Sequence, residues 1–388
     1  NDRNLVIVVN DNGRSYAPTM GGMARRFEAI RSKSAYKTGY LVSRKIFYKF
    51  GTFGKAVFDS VHAGLRTLFR HREFGGIFPN LDIKYFGPVD GHDLEPLETA
   101  LIRAKEYDGP SVVHAITQKG RGYTPALQDQ ADQFHAVGKI DPESGLPVPG
   151  SAGTSWTDVF SDEIVRIARA NTNVVGITGA MKIPVGLDKF ADAFPDRVFD
   201  VGIAEQHAVT LAAGMATQGL IPFCAIYSTF LQRAYDQVIH DVAIQNLPVI
   251  FCLDRAGFVG EDGATHHGLF DLAYLNCIPN IMIYAPLNEI DLRNILYTSS
   301  LGLNHPIAIR YPRGKGEIVA WKQPFSKIEI GKIETLKKGT KIAVLSTGTI
   351  GNTVSKAIDN LEKKADFSHF HVGWVKPLDE EKLLSIFK

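Results

Sequence analysis

The sequence predicts an α/β protein made of successive doubly wound domains with mainly parallel sheets. Three observations carry this expectation. Short apolar runs alternate with segments of helical periodicity through most of the chain. The stretch 145–153, with Pro147, Pro149 and three glycines, interrupts that alternation like a linker. The 388 residues are enough for two or three domains, each burying its own core.

The first domain is expected over 1–144. Leu5 to Val9 reads as a buried strand ending in the turn Asn10-Asp11-Asn12-Gly13. Asp93 is placed to cap a helix running through Lys105, and Ser111 to Thr117 gives the next strand. Between them, an aromatic and basic stretch broken by Gly51 and Gly54 reads as a mobile insertion over 37–78. After the linker, a domain over 154–320 is expected to hold strands at Asn173–Ile177, Val198–Gly202, Ile221–Ile226, Pro248–Leu253 and Asn280–Tyr284, separated by helices. A second linker is expected over 321–338. Residues 339–388 open a third, incomplete domain with the strand Lys341–Ser346, a turn at 347–349 and a helix to Glu362. Asn1 in place of a start methionine and a helical pattern that stops at Lys388 read as cut ends.

Composition narrows the function classes. Apolar residues make up 45% and charged residues 22%, and no run reaches the length of a spanning helix, so no membrane role is expected. A net charge of +2 offers no field for nucleic acid. Cys224, Cys252 and Cys277 sit in apolar runs without metal or disulfide spacing, which suits a reduced, cytoplasmic protein.

Glu205 is the most informative single residue. It follows one strand and opens the helix Gln206 to Gln218, where the helix dipole favours a carboxylate. Alone it would be an ordinary first-turn glutamate. The next strand, however, ends in Tyr227-Ser228-Thr229-Phe230, and adjacent strand ends in a doubly wound sheet converge on one ligand. A buried acid beside an aromatic face suits a flat heterocycle. Arg255 and Arg310 follow apolar strands and match the geometry of a phosphate, with surface salt bridges as the plain alternative. His266, four residues after Asp262 in a glycine-rich loop, is suited to exchange protons with a carbonyl or hydroxyl. Taken alone, Asn10–Gly13 is a plain turn and Lys119-Gly120-Arg121-Gly122 a basic loop.

Several longer stretches, in order, raise the specificity. These are Tyr85-Phe86-Gly87-Pro88-Val89-Asp90-Gly91-His92-Asp93, Lys119 to Tyr123, Phe134-His135-Ala136-Val137, Glu205 to Val209, Tyr227 to Gln237, Asp254-Arg255-Ala256-Gly257, Asp262 to His266 and Arg310-Tyr311-Pro312-Arg313-Gly314. Through them the chain resembles, over essentially its whole length, the 1-deoxy-D-xylulose-5-phosphate synthase family of transketolase-like thiamine diphosphate enzymes. The resemblance implies thiamine diphosphate-binding domains and a reaction that joins pyruvate to D-glyceraldehyde 3-phosphate, releasing carbon dioxide and giving 1-deoxy-D-xylulose 5-phosphate. That is the first step of non-mevalonate isoprenoid synthesis and also feeds thiamine and pyridoxal synthesis.

The same resemblance implies roles. Glu205 would hydrogen-bond the pyrimidine nitrogen and Phe230 would stack on that ring, with Lys119 and Tyr123 also serving the cofactor. Asn12 and the carbonyl near Arg14 would hold Mg2+, the remaining metal site being a Gly-Asp-Gly turn expected upstream of Asn1. His266, His135 and Tyr227 join Glu205 as catalytic candidates, while Arg255, Arg310, Arg233 and Asp262 are substrate-binding candidates and Arg313 a further cation. His267 stands where the family commonly has glutamine. A homodimer is implied. The alternatives are a transketolase moving two-carbon units between sugar phosphates, disfavoured by the runs Tyr227–Gln237 and Asp262–His266, and a non-catalytic thiamine diphosphate-binding relative.

Overall fold

A computed structural model describes residues 3–14, 78, 81–129, 132–135, 137–148, 154–318 and 320–387. The insertion expected over 37–78 lies outside these residues except for Phe78. The chain forms two compact units, Asn1–Val148 and Pro149–Lys388.

In the first unit, β1 (Val6–Asp11), β2 (Lys84–Asp90) and β3 (Ser111–Ile116) form a parallel sheet in the order β1-β3-β2. Helix α1 (Leu94–Glu106) crosses from β2 to β3 and packs Ala100 and Ala104 against Val113, Phe86 and Val89. Asp93 stands at its N-cap, but its side chain makes no capping bond. Two expectations need correction. The apolar run that opens the chain is not buried: Leu5, Val6, Ile7 and Val8 are exposed, because among the described strands only β3 pairs with β1. The ladder also carries β1 through Asn10 and Asp11, so the turn begins two residues later than the sequence suggested. Strand β2 was not foreseen, since Gly87 and Pro88 argue against one. It accommodates them with a register shift between Phe86 and Val89.

The second unit is built on a seven-stranded sheet of order β13-β8-β9-β7-β6-β4-β5. Its parallel strands are β4 (Val174–Thr178), β5 (Val198–Asp200), β6 (Ile221–Tyr227), β7 (Ile250–Asp254), β8 (Met282–Tyr284) and β9 (Ile307–Arg310). The central β4 and β7 are buried at every residue, as largely apolar strands covered on both faces should be. Around them pack α2 (Trp156–Ala170), α3 (Glu205–Thr217) and α4 (Glu289–Ser300). Helix α2 starts with a capping box in which Ser155 and Asp158 satisfy each other's backbone N–H. Where α2 meets α4, Arg293 Nη1 lies 3.1 Å from Glu163 Oε1, both side chains buried, with Phe325 under the guanidinium at 4.5 Å.

The stretch 321–338 is more than a linker. Trp321 is buried and donates to Thr154 Oγ1, and β10 (Glu334–Lys337) pairs antiparallel with β12 (Phe367–His371), which runs parallel to β11 (Ile342–Ser346). Helix α5 (Ile350–Asp359) covers this small sheet. The same segment sends β13 (Trp374–Lys376) back to pair antiparallel with β8, so it completes the large sheet. No helix among the described residues is long and apolar enough to cross a membrane.

Candidate active site

The C-terminal ends of β5, β6, β7 and β9 bring together most of the second unit's candidate residues. Asp200 ends β5, and its Oδ1 accepts from the backbone N–H groups of Ala180 (2.7 Å) and Gly202 (3.0 Å), tying the loop after β4 to the loop after β5. Gly202 turns the chain with φ +76° and α3 begins at Glu205, one residue earlier than the sequence suggested. Glu205 is buried at 4% exposure in the first turn, where unpaired helix N–H groups favour negative charge. A Cβ on Gly179 would stand 3.5 Å from Glu205 Cγ and 3.2 Å from the Gly202 carbonyl, so the glycine lets the loop after β4 pack close against the acid. Arg233 Nη1 lies 3.4 Å from Glu205 Oε2 with its own side chain half exposed.

Beyond β6 the aromatic candidates meet. Tyr227 and Phe230 stack at 5.5 Å and 14°, and His266 meets Phe230 edge-on at 5.4 Å. The Arg255 guanidinium lies 4.2 Å from the Tyr227 ring centre. Arg255 holds the left-handed φ of +59°, uncommon for a residue with a Cβ. Asp254 fixes it there, accepting from the Arg255 backbone N–H at 2.6 Å and from Nη1 at 2.7 Å, and it also accepts from Thr157 Oγ1 at 2.8 Å.

Burial pushes the Asp254 carboxyl above the usual carboxylate range, opposed by Arg255 and by the hydroxyl of Thr157. A carboxyl whose folded pKa exceeds its unfolded value stabilises fully at low pH and loses that contribution as pH rises. Asp254→Asn is therefore expected to flatten the fall in melting temperature as pH rises above about 4. Thermal melts of parent and variant across that range check it.

The loop after β7 returns on itself at Gly257 and Gly268, which exchange backbone hydrogen bonds of 2.8 Å. A Cβ on Gly268 would stand 2.5 Å from the Arg255 carbonyl and from Ser228 Oγ. Gly268→Ala is expected to cost about 1–3 kcal/mol by overpacking and to displace His266. A lowered melting temperature together with reduced turnover is the result to look for.

The arginine candidates divide. Arg310 ends β9 and gives Nε (2.9 Å) and Nη2 (3.3 Å) to the two oxygens of the buried Asp271. Arg313 instead reaches the 257–268 loop, with Nε 3.0 Å from Asp262 Oδ2. Asp262 Oδ2 is also 3.8 Å from Arg255 Nε. His267, in the place noted above, accepts from the Val259 N–H through Nδ1 at 3.1 Å.

In the first unit the turn after β1 is organised by its own side chains. Asp11 Oδ1 accepts from Gly13 N and Asn12 Oδ1 from Arg14 N, at 3.1 and 3.0 Å. Asp11 Oδ2 is 3.1 Å from His114 Nε2, and His114 Nδ1 is 2.7 Å from the Tyr85 hydroxyl. Lys119 Nζ and His135 Nδ1 lie 2.8 Å apart, and partial burial draws the lysine below its ordinary pKa, with Asp132 opposing. Tyr123 donates to the Pro142 carbonyl at 2.9 Å and meets Phe134 edge-on. No group of three or more His, Cys, Asp or Glu side chains suited to a metal occurs among the described residues.

Asp254, Asp271, Asp200 and Gly268 were not singled out from sequence. Asp254 carried one signal, its position beside Arg255 at a strand end; the partnership of Asp271 with Arg310 spans 39 residues and carried none.

The fold and this site define a class. Residues 152–317 match the family model described as transketolase, pyrimidine binding domain. The split-gene transketolase described as an inactive beta4 tetramer superposes with TM-score 0.54 and 26% identity, covering 60% of this chain and 76% of that one. A transketolase from Campylobacter jejuni shares the fold, with TM-score 0.52 and 17% identity over 78% of this chain and 58% of that one. Within the class, residues 1–117 match the model described as 1-deoxy-D-xylulose-5-phosphate synthase. Relatives of that name are 46% identical in Cytophaga hutchinsonii over 99% of this chain, 53% in Leifsonia xyli over 81%, and 44% in Parabacteroides distasonis over 100%. The chain belongs to the 1-deoxy-D-xylulose-5-phosphate synthase family. It spans 62%, 48% and 62% of the lengths of those three relatives.

Proposed function

We propose that this chain carries the pyrimidine site and part of the diphosphate site of an enzyme that condenses pyruvate with D-glyceraldehyde 3-phosphate, releasing carbon dioxide, to give 1-deoxy-D-xylulose 5-phosphate. The observation that carries the reading is Glu205, a buried acid at a helix start with the Gly179 backbone packed close beside it and an aromatic stack beyond the neighbouring strand. These residues fit a flat, basic heterocycle. When bound, thiamine diphosphate supplies the electron sink that decarboxylation and carbon–carbon bond formation require.

The protein's part is binding, orientation and proton placement. Glu205 presents its carboxyl to the pyrimidine nitrogen as a hydrogen-bond partner, while Phe230, backed by Tyr227, presents a ring to the pyrimidine face. His266 Nδ1 is engaged with Thr265 Oγ1 at 3.0 Å, so Nε2 is the atom that exchanges a proton with substrate. Arg255 and Arg310, each oriented by a buried aspartate, offer their remaining N–H groups to the substrate phosphate, with Arg233 and Tyr227 lining the pocket. In the first unit, Asn12 Oδ1 and the Arg14 carbonyl are oxygen donors of the kind Mg2+ takes, and Lys119, Tyr123 and His135 serve the cofactor and proton transfer. A cytoplasmic homodimer, and domains over 1–144, 154–320 and 339–388 joined at 145–153 and 321–338, belong to the same reading.

The test is direct. The protein, with magnesium, thiamine diphosphate and both substrates, is expected to release carbon dioxide and form 1-deoxy-D-xylulose 5-phosphate with pyruvate as donor. Turnover with xylulose 5-phosphate as donor, and none with pyruvate, would assign it to the transketolases proper.

A further inference from the structure

Asp262 occupies a place that suits a different anion. Its Oδ2 lies 3.0 Å from Arg313 Nε and 3.8 Å from Arg255 Nε, so two guanidinium groups converge on one carboxylate oxygen. Glu261 Oε2 adds a weak contact with Arg313 Nη2 at 3.9 Å. Converging guanidinium groups are how proteins hold phosphate oxygens. A carboxylate at their focus is no help to an incoming phosphate, since the two anions repel and compete for the same donors. The substrate-binding role assigned to Asp262 by resemblance is thus at odds with its geometry.

From this we infer that Asp262 is a built-in stand-in for the substrate's phosphate: it holds the 257–268 loop on Arg255 and Arg313 until a phosphate monoester displaces it. The inference rests on the reading that Arg255 serves a phosphorylated substrate. Asp262 is the exchangeable partner because Asp254, fully buried, stays bonded to Arg255 at 2.7 Å, whereas Asp262 is a quarter exposed and sits on a loop. The loop has the means to move. Its ends are pinned by the Gly257–Gly268 backbone pair, and Gly257, Gly260 and Gly263 all take positive φ, where no Cβ resists rotation. Its far side carries Glu261, 88% exposed, so a displaced tip goes into water at small cost. The loop also carries Thr265, whose carbonyl accepts from Thr229 Oγ1 at 3.2 Å, and His266 on the edge of Phe230. Displacing Asp262 therefore couples phosphate arrival to the setting of the proton-exchanging histidine. Asp262 is a positioning residue in this scheme.

The test uses inorganic phosphate as probe, titrated calorimetrically into the parent, Asp262→Asn, Arg313→Gln and the double variant, with amide hydrogen exchange over 257–268. Removing the competing charge is expected to tighten phosphate roughly tenfold, the size of one charge-assisted contact. The double variant is expected to lose that gain. In the parent, phosphate is expected to speed exchange in the loop; in Asp262→Asn the loop exchanges fast without it. Equal phosphate affinity in parent and Asp262→Asn, or loop exchange in the parent that phosphate leaves unchanged, overturns the inference. Tightened binding in a protein that forms no 1-deoxy-D-xylulose 5-phosphate upholds the latch and sinks the proposed reaction. Product formation with equal affinities does the reverse.

Discussion

Glu205→Ala is expected to lower pyruvate-dependent carbon dioxide release by about 10²–10⁴-fold, the range over which a positioned general acid acts. The fold should survive the change. The side chain lost contacts Arg233 at 3.4 Å, and that arginine is half exposed, so its release into water costs little. Glu205→Gln sharpens the experiment, because the amide keeps the shape of the acid and loses its titratable proton. It is expected to bind thiamine diphosphate, read by quenching of intrinsic fluorescence, and still turn over slowly. Parent-like turnover in Glu205→Gln would remove the acid role from this residue.

Arg293→Met is expected to be the most damaging single change to stability. It leaves Glu163 between α2 and α4 without its ion-pair partner, and losing one partner of a buried pair costs about 3–5 kcal/mol. At about 2–4 °C per kcal/mol for a unit of this size, the melting temperature should fall by roughly 10 °C. Pairing it with Glu163→Leu should restore most of the loss, since an apolar pair of similar volume is tolerated where a lone charge is not. The defect carries a pH signature. Burial pushes the Glu163 carboxyl up and Arg293 opposes it, so removing the arginine raises it further. A group with a raised folded pKa is least harmful while protonated, so the variant should be closest to the parent in mild acid and furthest above neutrality. A defect that did not grow with pH would mean that the guanidinium acts through packing on Phe325 alone.

The sequence was clearest where one physical cue dominated. Strands β4, β6 and β7 are continuous apolar runs, and they appear within two residues of their expected ends. Glu205 and Phe230 were legible because a strand, a turn and a helix start name a position in a doubly wound sheet whatever lies elsewhere. Strand β2 was hidden by Gly87 and Pro88, which only its register shift accommodates. Arg310 looked equivalent to Arg255 because both follow apolar runs, yet Asp271, 39 residues away, engages two of its nitrogens. The meeting of Asp262 with Arg313 was equally out of reach, since it depends on a loop closed by two glycines eleven residues apart and on an arginine three residues past the end of β9. Local pattern reports which residues sit at a strand end; it does not report which charges they spend on one another.

Strand β13 has a consequence for how the protein is made. Trp374 packs edge-on against Tyr284 at 4.8 Å, its Nε1 donates to the Glu329 carbonyl, and Lys376 Nζ donates to the Asn276 carbonyl at 3.0 Å. A nascent chain emerges N-terminus first, so β4 to β9 are available long before the three residues that pair with β8. Until then β8 presents unpaired backbone groups, the kind of edge on which chains join one another wrongly. Ribosome-bound or proteolytic pieces ending near residue 320 should therefore need chaperone protection or associate with themselves, although every candidate residue of the second unit is already present in them.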